Sequence, residues 1–218
     1  MKKVLSDNVP PVSNPWELED KLGKEGFQRI MGLDEVGRGC LAGPVVAAGV
    51  VLGSDSAITG IADSKKLSAN KRVAAAELIK RHAVCWTIAW CTNDEIDTLN
   101  ILKASLKAMA RCVEKASPRP DFLLIDGNKP IDGMLVRSET VVRGDNRSVS
   151  IGAASILAKV YRDALMTNLH QQYPEFGWDT NVGYPTASHY EALHRYGFTP
   201  FHRQSFRLGT STPYQNNR

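Results

Sequence analysis

The stretch that decides the fold runs from residue 29 to residue 52 and reads RIMGLDEVGRGCLAGPVVAAGVVL. Its first part, Arg29–Glu35, predicts a strand that ends in two acidic residues. Its last part, Val45–Leu52, is a continuous apolar run of strand length, and the glycine-rich segment between the two predicts a turn. The two strands are therefore expected to be neighbours in one sheet, with the acidic pair at the end of the first strand.

Strand and helix patterns continue along the rest of the chain. Val84–Cys91 is β-branched and aromatic and predicts a third strand. Because the three early strands leave no room for crossover helices between all of them, an antiparallel meander is expected, to which later strand–helix units add parallel strands. The other predicted elements are a helix over Trp16–Gly26, a helix over Ser68–His82 capped by Ser68, a capping box at Thr92–Glu95 followed by a long helix through Leu99, Leu102, Leu106, Met109 and Val113, strands at Phe122–Ile125 and Glu139–Val142, and a helix over Ser150–Gln172. The expected architecture is a mixed α/β sheet with helices on its faces.

Composition sets the broad class of the protein. The chain has 218 residues, of which 43% are hydrophobic and 23% charged, so it is long enough for one globular domain with a small appendage. The formal net charge of +4 suits a polyanionic partner such as nucleic acid but does not require one. The sequence contains neither a P-loop nor a nucleophile elbow, which argues against those nucleotide-binding and hydrolase classes.

The cysteines and histidines do not form a recognisable zinc or redox site. The cysteines show no C-x-x-C spacing, which indicates free thiols in a reducing compartment, and the scattered histidines are expected to be surface or packed residues. No apolar run of membrane-spanning length and no signal-peptide pattern follows the N-terminal lysines. The expected location is the cytoplasm, without membrane association. The residues concerned are Cys40, Cys85, Cys91, Cys112, His82, His170, His189, His194 and His202.

Four acidic residues fall where strands end or turns begin. Asp34 and Glu35 end the first strand, Asp126 follows the apolar run FLLI, and Asp145 lies in a turn before a long helix. Strand ends of an α/β sheet cluster and bind ligands, and clustered carboxylates repel one another unless a cation neutralises them. Such a site suits Mg²⁺ or Mn²⁺, two of which can support phosphodiester hydrolysis. Helix caps and turn formers are the alternative interpretation, and the pattern alone leaves both open.

A set of short motifs resembles the ribonuclease HII family, the type 2 ribonucleases H. The motifs occur in the family's order and together cover roughly residues 29–207, which makes the resemblance specific. They are GLDEVGRG at 32–39, LAGPV at 41–45, DSKKL at 63–67, IDGN at 125–128, GD at 144–145, AASILAKV at 153–160, GYPT at 183–186 and HRQSF at 202–206.

The resemblance implies an RNase H-like α/β fold, with a mixed five-stranded sheet flanked by helices and a helical C-terminal extension. It divides the chain into an N-terminal arm (1–28), a catalytic domain (29–172) and an extension that contributes to substrate binding (173–218). It also implies that Asp34, Glu35, Asp126 and Asp145 are the catalytic, metal-binding carboxylates. Asp163 lies well down the last predicted helix and is expected to be structural.

The activity implied by the resemblance is endonucleolytic cleavage of the RNA strand of RNA–DNA hybrids. The family's cut lies 5′ to a ribonucleotide, including a single one embedded in duplex DNA, and leaves a 3′-hydroxyl and a 5′-phosphate. The hypothesis for this chain is that Asp34 is shared by two Mg²⁺ or Mn²⁺ ions, that Glu35 and Asp126 bind one of them, and that Asp145 binds the other. Such an enzyme would remove ribonucleotides from DNA.

The resemblance also implies a set of substrate-binding residues. The backbone of Gly37 and Gly39, together with Arg38, resembles the element that reads the ribose 2′-hydroxyl. Tyr184 resembles the tyrosine that stacks under the sugar of the following deoxynucleotide. Further candidates for phosphate contacts are Lys65, Lys66, Arg203 and Ser205, for which solvated surface residues are the alternative.

The chain departs from the family pattern at a few points, and two other functions stay open. Cys40 stands where proline is frequent in the family, which puts only local rigidity in doubt. Only some thirty residues precede the first motif, so the long N-terminal domain of ribonuclease HIII is not expected. Thr210–Arg218 shows no sliding-clamp motif, so docking to that clamp through the tail is not expected either. No feature suggests an obligate interface, and a monomer is expected. The rival functions are a catalytically silent nucleic-acid-binding module and another RNase H-like nuclease, such as a junction resolvase.

Overall fold

One mixed sheet forms the centre of the protein. Within residues 14–53 and 67–206, which the computed structural model of the chain describes, this sheet has five strands in the order β3-β2-β1-β4-β5. Strands β1, β2 and β3 form the predicted antiparallel meander, and β4 and β5 add to the other side of β1 in parallel. The predicted mixed α/β fold is therefore confirmed. The strands are β1 (Ile30–Val36), β2 (Val45–Leu52), β3 (Ala83–Cys91), β4 (Phe122–Asp126) and β5 (Arg137–Val141).

Helices cover both faces of the sheet and continue beyond it. The predicted caps form: the Ser68 hydroxyl accepts from the Lys71 amide, and Thr92 and Glu95 make a reciprocal capping box. Two 3₁₀ turns, Gly144–Asn146 and Pro174–Phe176, precede and follow the longest helix. The helices are α1 (Glu17–Lys24), α2 (Ala69–His82), α3 (Asn93–Leu99), α4 (Ile101–Lys115), α5 (Val149–Gln172), α6 (Trp178–Asn181) and α7 (Ala187–Tyr196).

The single long helix predicted after the capping box is wrong, because the chain forms two helices there. Asn100 separates α3 from α4 and leaves the helical conformation, with a φ of 71° and a ψ of 162°. Its side chain accepts from the Lys103 amide at 3.1 Å and caps α4. The apolar spacing continues across this break, so periodicity could not reveal it.

Two apolar cores lie on opposite faces of the sheet. One contains Met31, Leu33 and residues of α4, and the other packs β2 against α2 and α5. Helix α5 crosses β1 at Gly32, where an added Cβ would lie 2.2 Å from the Ile151 backbone nitrogen. A glycine at this point allows the start of α5 to lie directly against the strand that carries Asp34 and Glu35.

The C-terminal segment packs onto the loop between β1 and β2. A third apolar cluster joins Leu41 and Ala42 of that loop to Trp178 and Leu193 of the extension. Backbone hydrogen bonds run from the Leu41 amide to the Gly183 carbonyl and from the Arg203 amide to the Leu41 carbonyl, both at 2.8 Å. The extension therefore supports this loop directly.

The first described residues also pack on the sheet. Leu22 of α1 is buried in a cluster with Ile30, Phe122 and Ile151, so at least this part of the predicted arm contributes to the core. The four cysteines are free, as predicted, and all four are buried. None of the described helices has the length and apolar character needed to cross a membrane.

Candidate active site

Two adjacent parallel strands, β1 and β4, carry three of the four predicted carboxylates: Asp34, Glu35 and Asp126. The pairing of Leu33 in β1 with Ile125 in β4 places Asp34 beside Asp126, since each follows its paired residue. Asp145 comes from the turn before α5 and is 3% exposed. All four predicted carboxylates, including Glu35, line one cleft.

Hydrogen bonds fix the orientation of these carboxylates. Asp34 accepts from the Glu35 amide at 2.7 Å and from the Ser155 hydroxyl on α5. Asp126 accepts from the Gly144 amide at 2.6 Å, which ties the end of β4 to the turn that carries Asp145. Backbone amides therefore orient both Asp34 and Asp126, and α5 contributes a further contact to Asp34.

The cleft disfavours negative charge in the absence of a cation. Burial raises the pKa of Asp34 well above its usual range, and the charges of Glu35 and Asp126 raise this pKa further. Burial also raises the pKa of Glu35, while Arg38 opposes the shift through an ion pair at 2.9 Å. A bound cation would relieve the repulsion that the fold imposes on these groups.

The donor set fits an open divalent-cation site. No three His, Cys, Asp or Glu side chains within the described residues are arranged as a ready-made metal cage. Mg²⁺ commonly uses one or two carboxylates and takes its other ligands from water and substrate phosphates. Asp34, Glu35, Asp126 and Asp145 can supply such carboxylates, and all four face the same cleft.

The Gly37–Pro44 loop begins one residue after Val36, the end of β1, and its conformation requires glycine. Gly37 has a φ of +94°, and an added Cβ there would lie 2.2 Å from the Arg162 Nε. Arg38 and Gly39 are exposed, and no hydrogen-bond acceptor for their backbone N–H groups is found in the described part of the chain. The loop therefore presents backbone donors next to the carboxylates.

Arg203 does not have the predicted role of contacting a phosphate. It is 1% exposed, and its guanidinium donates to the carbonyls of Gly37 at 2.7 Å, Arg38 at 3.0 Å and Gly43 at 2.9 and 3.0 Å. Burial lowers its pKa to about 10, so it remains charged at neutral pH. Its position makes it a support for the Gly37–Pro44 loop.

Arg162 is a second buried support, and sequence reasoning did not find it. Its guanidinium is fully buried and donates to the carbonyls of Ala42 at 3.0 Å, Pro44 at 3.1 Å and Val182 at 2.8 Å. The available signal was its spacing on α5, since Ala154, Ala158, Arg162 and Met166 recur every four residues and are all buried. A charged residue on such a stripe must find partners.

The other predicted substrate residues are found in different settings. Tyr184 lines the cleft and is 38% exposed, and its ring carbon lies 4.0 Å from where a Cβ on Gly39 would be. Ser205 is exposed and donates its hydroxyl to Asp97 at 2.6 Å. Lys65 and Lys66, like the Thr210–Arg218 tail, lie outside the described residues.

Three further polar residues of the cleft were not predicted as site residues. Ser155 orients Asp34, and Arg72 and Lys159 bring positive charge to the cleft. Lys159 pairs with Asp163 at 2.7 Å, which gives Asp163 a contact one helical turn along α5. The motif AASILAKV contained both Ser155 and Lys159, but no site role was predicted for either residue.

Comparison with known proteins agrees with this geometry. The family model described as Ribonuclease HII matches residues 31–208. The chain is 54% identical over 194 residues to the ribonuclease HII of Salinibacter ruber, covering 87% of this chain and 96% of that protein. It is 50% identical over 200 residues to the ribonuclease HII of Ruegeria pomeroyi, covering 92% and 85%.

Solved structures show the same fold. The ribonuclease H2 of Pyrococcus horikoshii OT3 superimposes with a TM-score of 0.72 at 24% identity, over 82% of this chain and 93% of that one. The ribonuclease HII of Archaeoglobus fulgidus, solved as a complex with PCNA, gives a TM-score of 0.70 at 25% identity, over 85% and 98%. The chain belongs to the ribonuclease HII family, and it is therefore a metal-dependent endoribonuclease that degrades RNA paired with DNA.

Proposed function

We propose that the chain cuts on the 5′ side of a ribonucleotide, including a single ribonucleotide in duplex DNA, and leaves a 3′-hydroxyl and a 5′-phosphate. The observation that carries the proposal is the Gly37–Pro44 loop beside the carboxylates. A ribose 2′-hydroxyl can both donate and accept hydrogen bonds, and the N–H groups of Arg38 and Gly39 face no acceptor among the described residues. These backbone N–H groups can bind a sugar hydroxyl whatever base the nucleotide carries.

Tyr184 supports recognition of the nucleotide that follows the ribonucleotide. Its ring lies close to Gly39 and borders the cleft, so a sugar on one side of the scissile phosphate would contact the loop while the next sugar contacts the ring. An aromatic face packs well against the apolar face of a deoxyribose. The pair Gly39 and Tyr184 would therefore detect an RNA-to-DNA junction.

The four carboxylates are proposed to bind two Mg²⁺ or Mn²⁺ ions, with Asp34 shared, Glu35 and Asp126 at one ion and Asp145 at the other. Bound ions of this kind supply hydroxide and stabilise the charge on a departing oxygen. The chain's own contribution is orientation: Ser155 fixes Asp34, and the Gly144 amide fixes Asp126. Such preorganisation avoids rearrangement during the reaction.

Positive charge for the phosphates is proposed to come from several lysines and arginines. Arg72 and Lys159 border the cleft, and phosphate contacts of this type set the register of a duplex without reading its sequence. Lys65, Lys66 and Ser205 stay predictions as further contacts. We propose that the chain acts as a monomer in removing ribonucleotides from DNA.

The direct test compares three substrates: a DNA duplex with one ribonucleotide, an RNA–DNA hybrid and an all-DNA duplex, each with Mg²⁺, Mn²⁺ or EDTA. The expected result is metal-dependent cleavage 5′ to the single ribonucleotide, with no cleavage of the all-DNA duplex. Mapping of the product ends should give a 3′-hydroxyl and a 5′-phosphate. Equal cleavage of the all-DNA duplex would falsify the proposal and favour a general nuclease.

A matched pair of variants tests the part assigned to Tyr184. Tyr184→Ala should lose at least about tenfold in cleavage of the single-ribonucleotide duplex, a loss on the scale of the about 1–3 kcal/mol that stacking of a base on an aromatic ring contributes. Tyr196→Ala is the control, because Tyr196 is 54% exposed and lies at the end of α7. Equal losses in the two variants would remove Tyr184 from the recognition site.

A further inference from the structure

Two histidines that are separated along the chain meet in the core of the C-terminal extension. His189 of α7 is fully buried and His202 is 1% exposed. Their Nε2 atoms lie 3.0 Å apart, and the Trp178 Nε1 lies 3.2 Å from the His189 Nε2. The other nitrogen of His189, Nδ1, lies 2.9 Å from the Tyr184 carbonyl oxygen.

The contacts assign one consistent set of protons. The Thr199 amide donates to the His202 Nδ1 at 2.9 Å, so the neutral His202 ring carries its proton on Nε2 and donates it to His189. The Trp178 indole can only donate, so the His189 Nε2 accepts from both neighbours. His189 must then carry its proton on Nδ1 and donate it to the Tyr184 carbonyl.

The backbone carbonyl of Tyr184 is therefore fixed by the hydrogen bond from His189. This carbonyl also accepts from the Thr186 amide at 2.9 Å, and the preceding Gly183 carbonyl accepts from Leu41 of the Gly37–Pro44 loop. A turn this short transmits any rotation of the peptide at residue 184 to the ring that borders the cleft. The residue is 38% exposed, and its hydroxyl adds a hydrogen bond with the Cys40 thiol, so the backbone and the hydroxyl together set the position of the ring.

We infer that His189 is a positioning residue for ribonucleotide recognition: with its proton placed by Trp178 and His202, it sets the position of Tyr184 against Gly39. This inference rests on the proposed role of Tyr184 at the RNA-to-DNA junction. It predicts that the hydrogen bond from the His189 Nδ1 matters for substrate choice, whereas the bonds to the His189 Nε2 matter for stability.

Two substitutions of His189 separate these effects. In His189→Asn the amide nitrogen takes the place of Nδ1, so the bond to Tyr184 remains, but Trp178 and His202 lose their acceptor. In His189→Gln the amide takes the place of Nε2, so that acceptor remains, but the bond to Tyr184 is lost. Unpaired buried donors are costly, so His189→Asn should have the lower melting temperature.

The experiment measures kcat/KM on the single-ribonucleotide duplex and on the RNA–DNA hybrid for wild type and both variants, together with melting temperatures. The expected preference for the single-ribonucleotide duplex falls about tenfold in His189→Gln and stays within about twofold in His189→Asn, the reverse of their order in stability. If the preference instead follows stability, or is the same in both variants, the inference is overturned and the proposed function stands.

Two controls complete the test. A wild-type protein that fails to cut the single-ribonucleotide duplex overturns the proposed function, and the role of His189 at a junction falls with it. Should His189→Gln not fold, His202→Asn tests the other half of the inference, since it keeps an acceptor for Thr199 and removes only a bond to the His189 Nε2, so its preference should stay within about twofold of wild type. A folded His202→Asn variant whose preference falls about tenfold would contradict the inference.

Discussion

At Asp34, the protonation state that stabilises the metal-free fold differs from the one that binds a metal ion. It is 7% exposed, and burial together with the charges of Glu35 and Asp126 raises its pKa. A raised carboxylate pKa means that ionisation destabilises the metal-free fold. The ionised form is nevertheless the one that binds a cation.

Asp34→Asn separates these two demands. We expect cleavage to fall at least about a thousandfold, because a catalytic metal ion contributes several kcal/mol to the transition state. The melting temperature in EDTA should equal or exceed that of wild type, and the stabilisation by Mg²⁺ or Mn²⁺ should shrink. Cleavage and thermal unfolding measured side by side give both results.

The conservative control is Ser155→Ala, which keeps all four carboxylates and removes only one hydrogen bond to Asp34. It should reduce cleavage by about 10–100-fold, the usual loss for a partner of a metal ligand. Normal cleavage by Asp34→Asn would contradict the carboxylate assignment.

At the residue scale, the positions of the acidic site residues were more predictable from the sequence than the positions of the buried arginines. Asp34 and Asp126 could be placed because each ends a short apolar strand, which is a local pattern, and parallel strand ends meet. Arg162 and Arg203 could not be placed, because all the acceptors of Arg203 and two of the three acceptors of Arg162 are backbone carbonyls more than a hundred residues away along the chain. Nothing near either arginine indicates which loop it will contact.

At the scale of elements, α1 fixes the start of α5. Glu19 of α1 is buried, and its Oε1 accepts from the Ser148 hydroxyl at 2.5 Å, the Ser150 hydroxyl at 2.6 Å and the Ser150 amide at 3.1 Å. A carboxylate at a helix N-terminus is also favoured by the helix dipole. This contact lies a few residues beyond Asp145, so it holds the turn that brings the fourth carboxylate to the cleft.

Glu19→Ala should lower the free energy of unfolding by about 1–3 kcal/mol, because it leaves buried donors without an acceptor. Glu17→Ala is the matched control on the same helix, since Glu17 is exposed and its loss should change stability by no more than about 0.5 kcal/mol. Chemical denaturation of the three proteins measures the difference. Equal effects would show that α1 does not anchor α5 through Glu19.

Element types were more predictable than element junctions. The apolar run of β2 and the aromatic, β-branched β3 were located from composition and length, and the meander followed from the short connections. The break at Asn100 was missed because the apolar spacing runs through it. The helical character of the extension was implied by the family resemblance, but the positions of α6 and α7 did not follow from the local sequence pattern, since that segment is positioned by the cluster around Trp178.

At the scale of the whole molecule, the buried pair His189 and His202 makes the stability of the fold depend on pH. Burial, and then the neighbouring His189, lower the pKa of His202 to about 3, and burial lowers the pKa of His189. An unfolded histidine titrates near about 6.5. Between these values the unfolded ring binds a proton that the folded ring does not, so this contribution to stability is complete above about pH 6.5 and is lost as the pH falls.

We therefore expect wild type to lose stability faster than His202→Asn between about pH 6.5 and 5, by up to about 1.4 kcal/mol per pH unit. Asp34 and Glu35, whose raised pKa values act in the opposite direction, are present in both proteins and cancel in the difference. Urea denaturation at several pH values measures the two slopes. Parallel slopes would show that His202 is not held neutral.

The order of residues along the chain determines the order in which the parts of the active site are synthesised. Synthesis proceeds from the N-terminus, so the carboxylates, complete at Asp145, are made before Arg162, Tyr184, His189 and Arg203. The capacity to cut is thus encoded upstream of most of the residues that restrain the Gly37–Pro44 loop and Tyr184. A product terminated just short of residue 203 would keep every carboxylate and lose the guanidinium bound to three loop carbonyls, so selectivity is the property most exposed to premature termination.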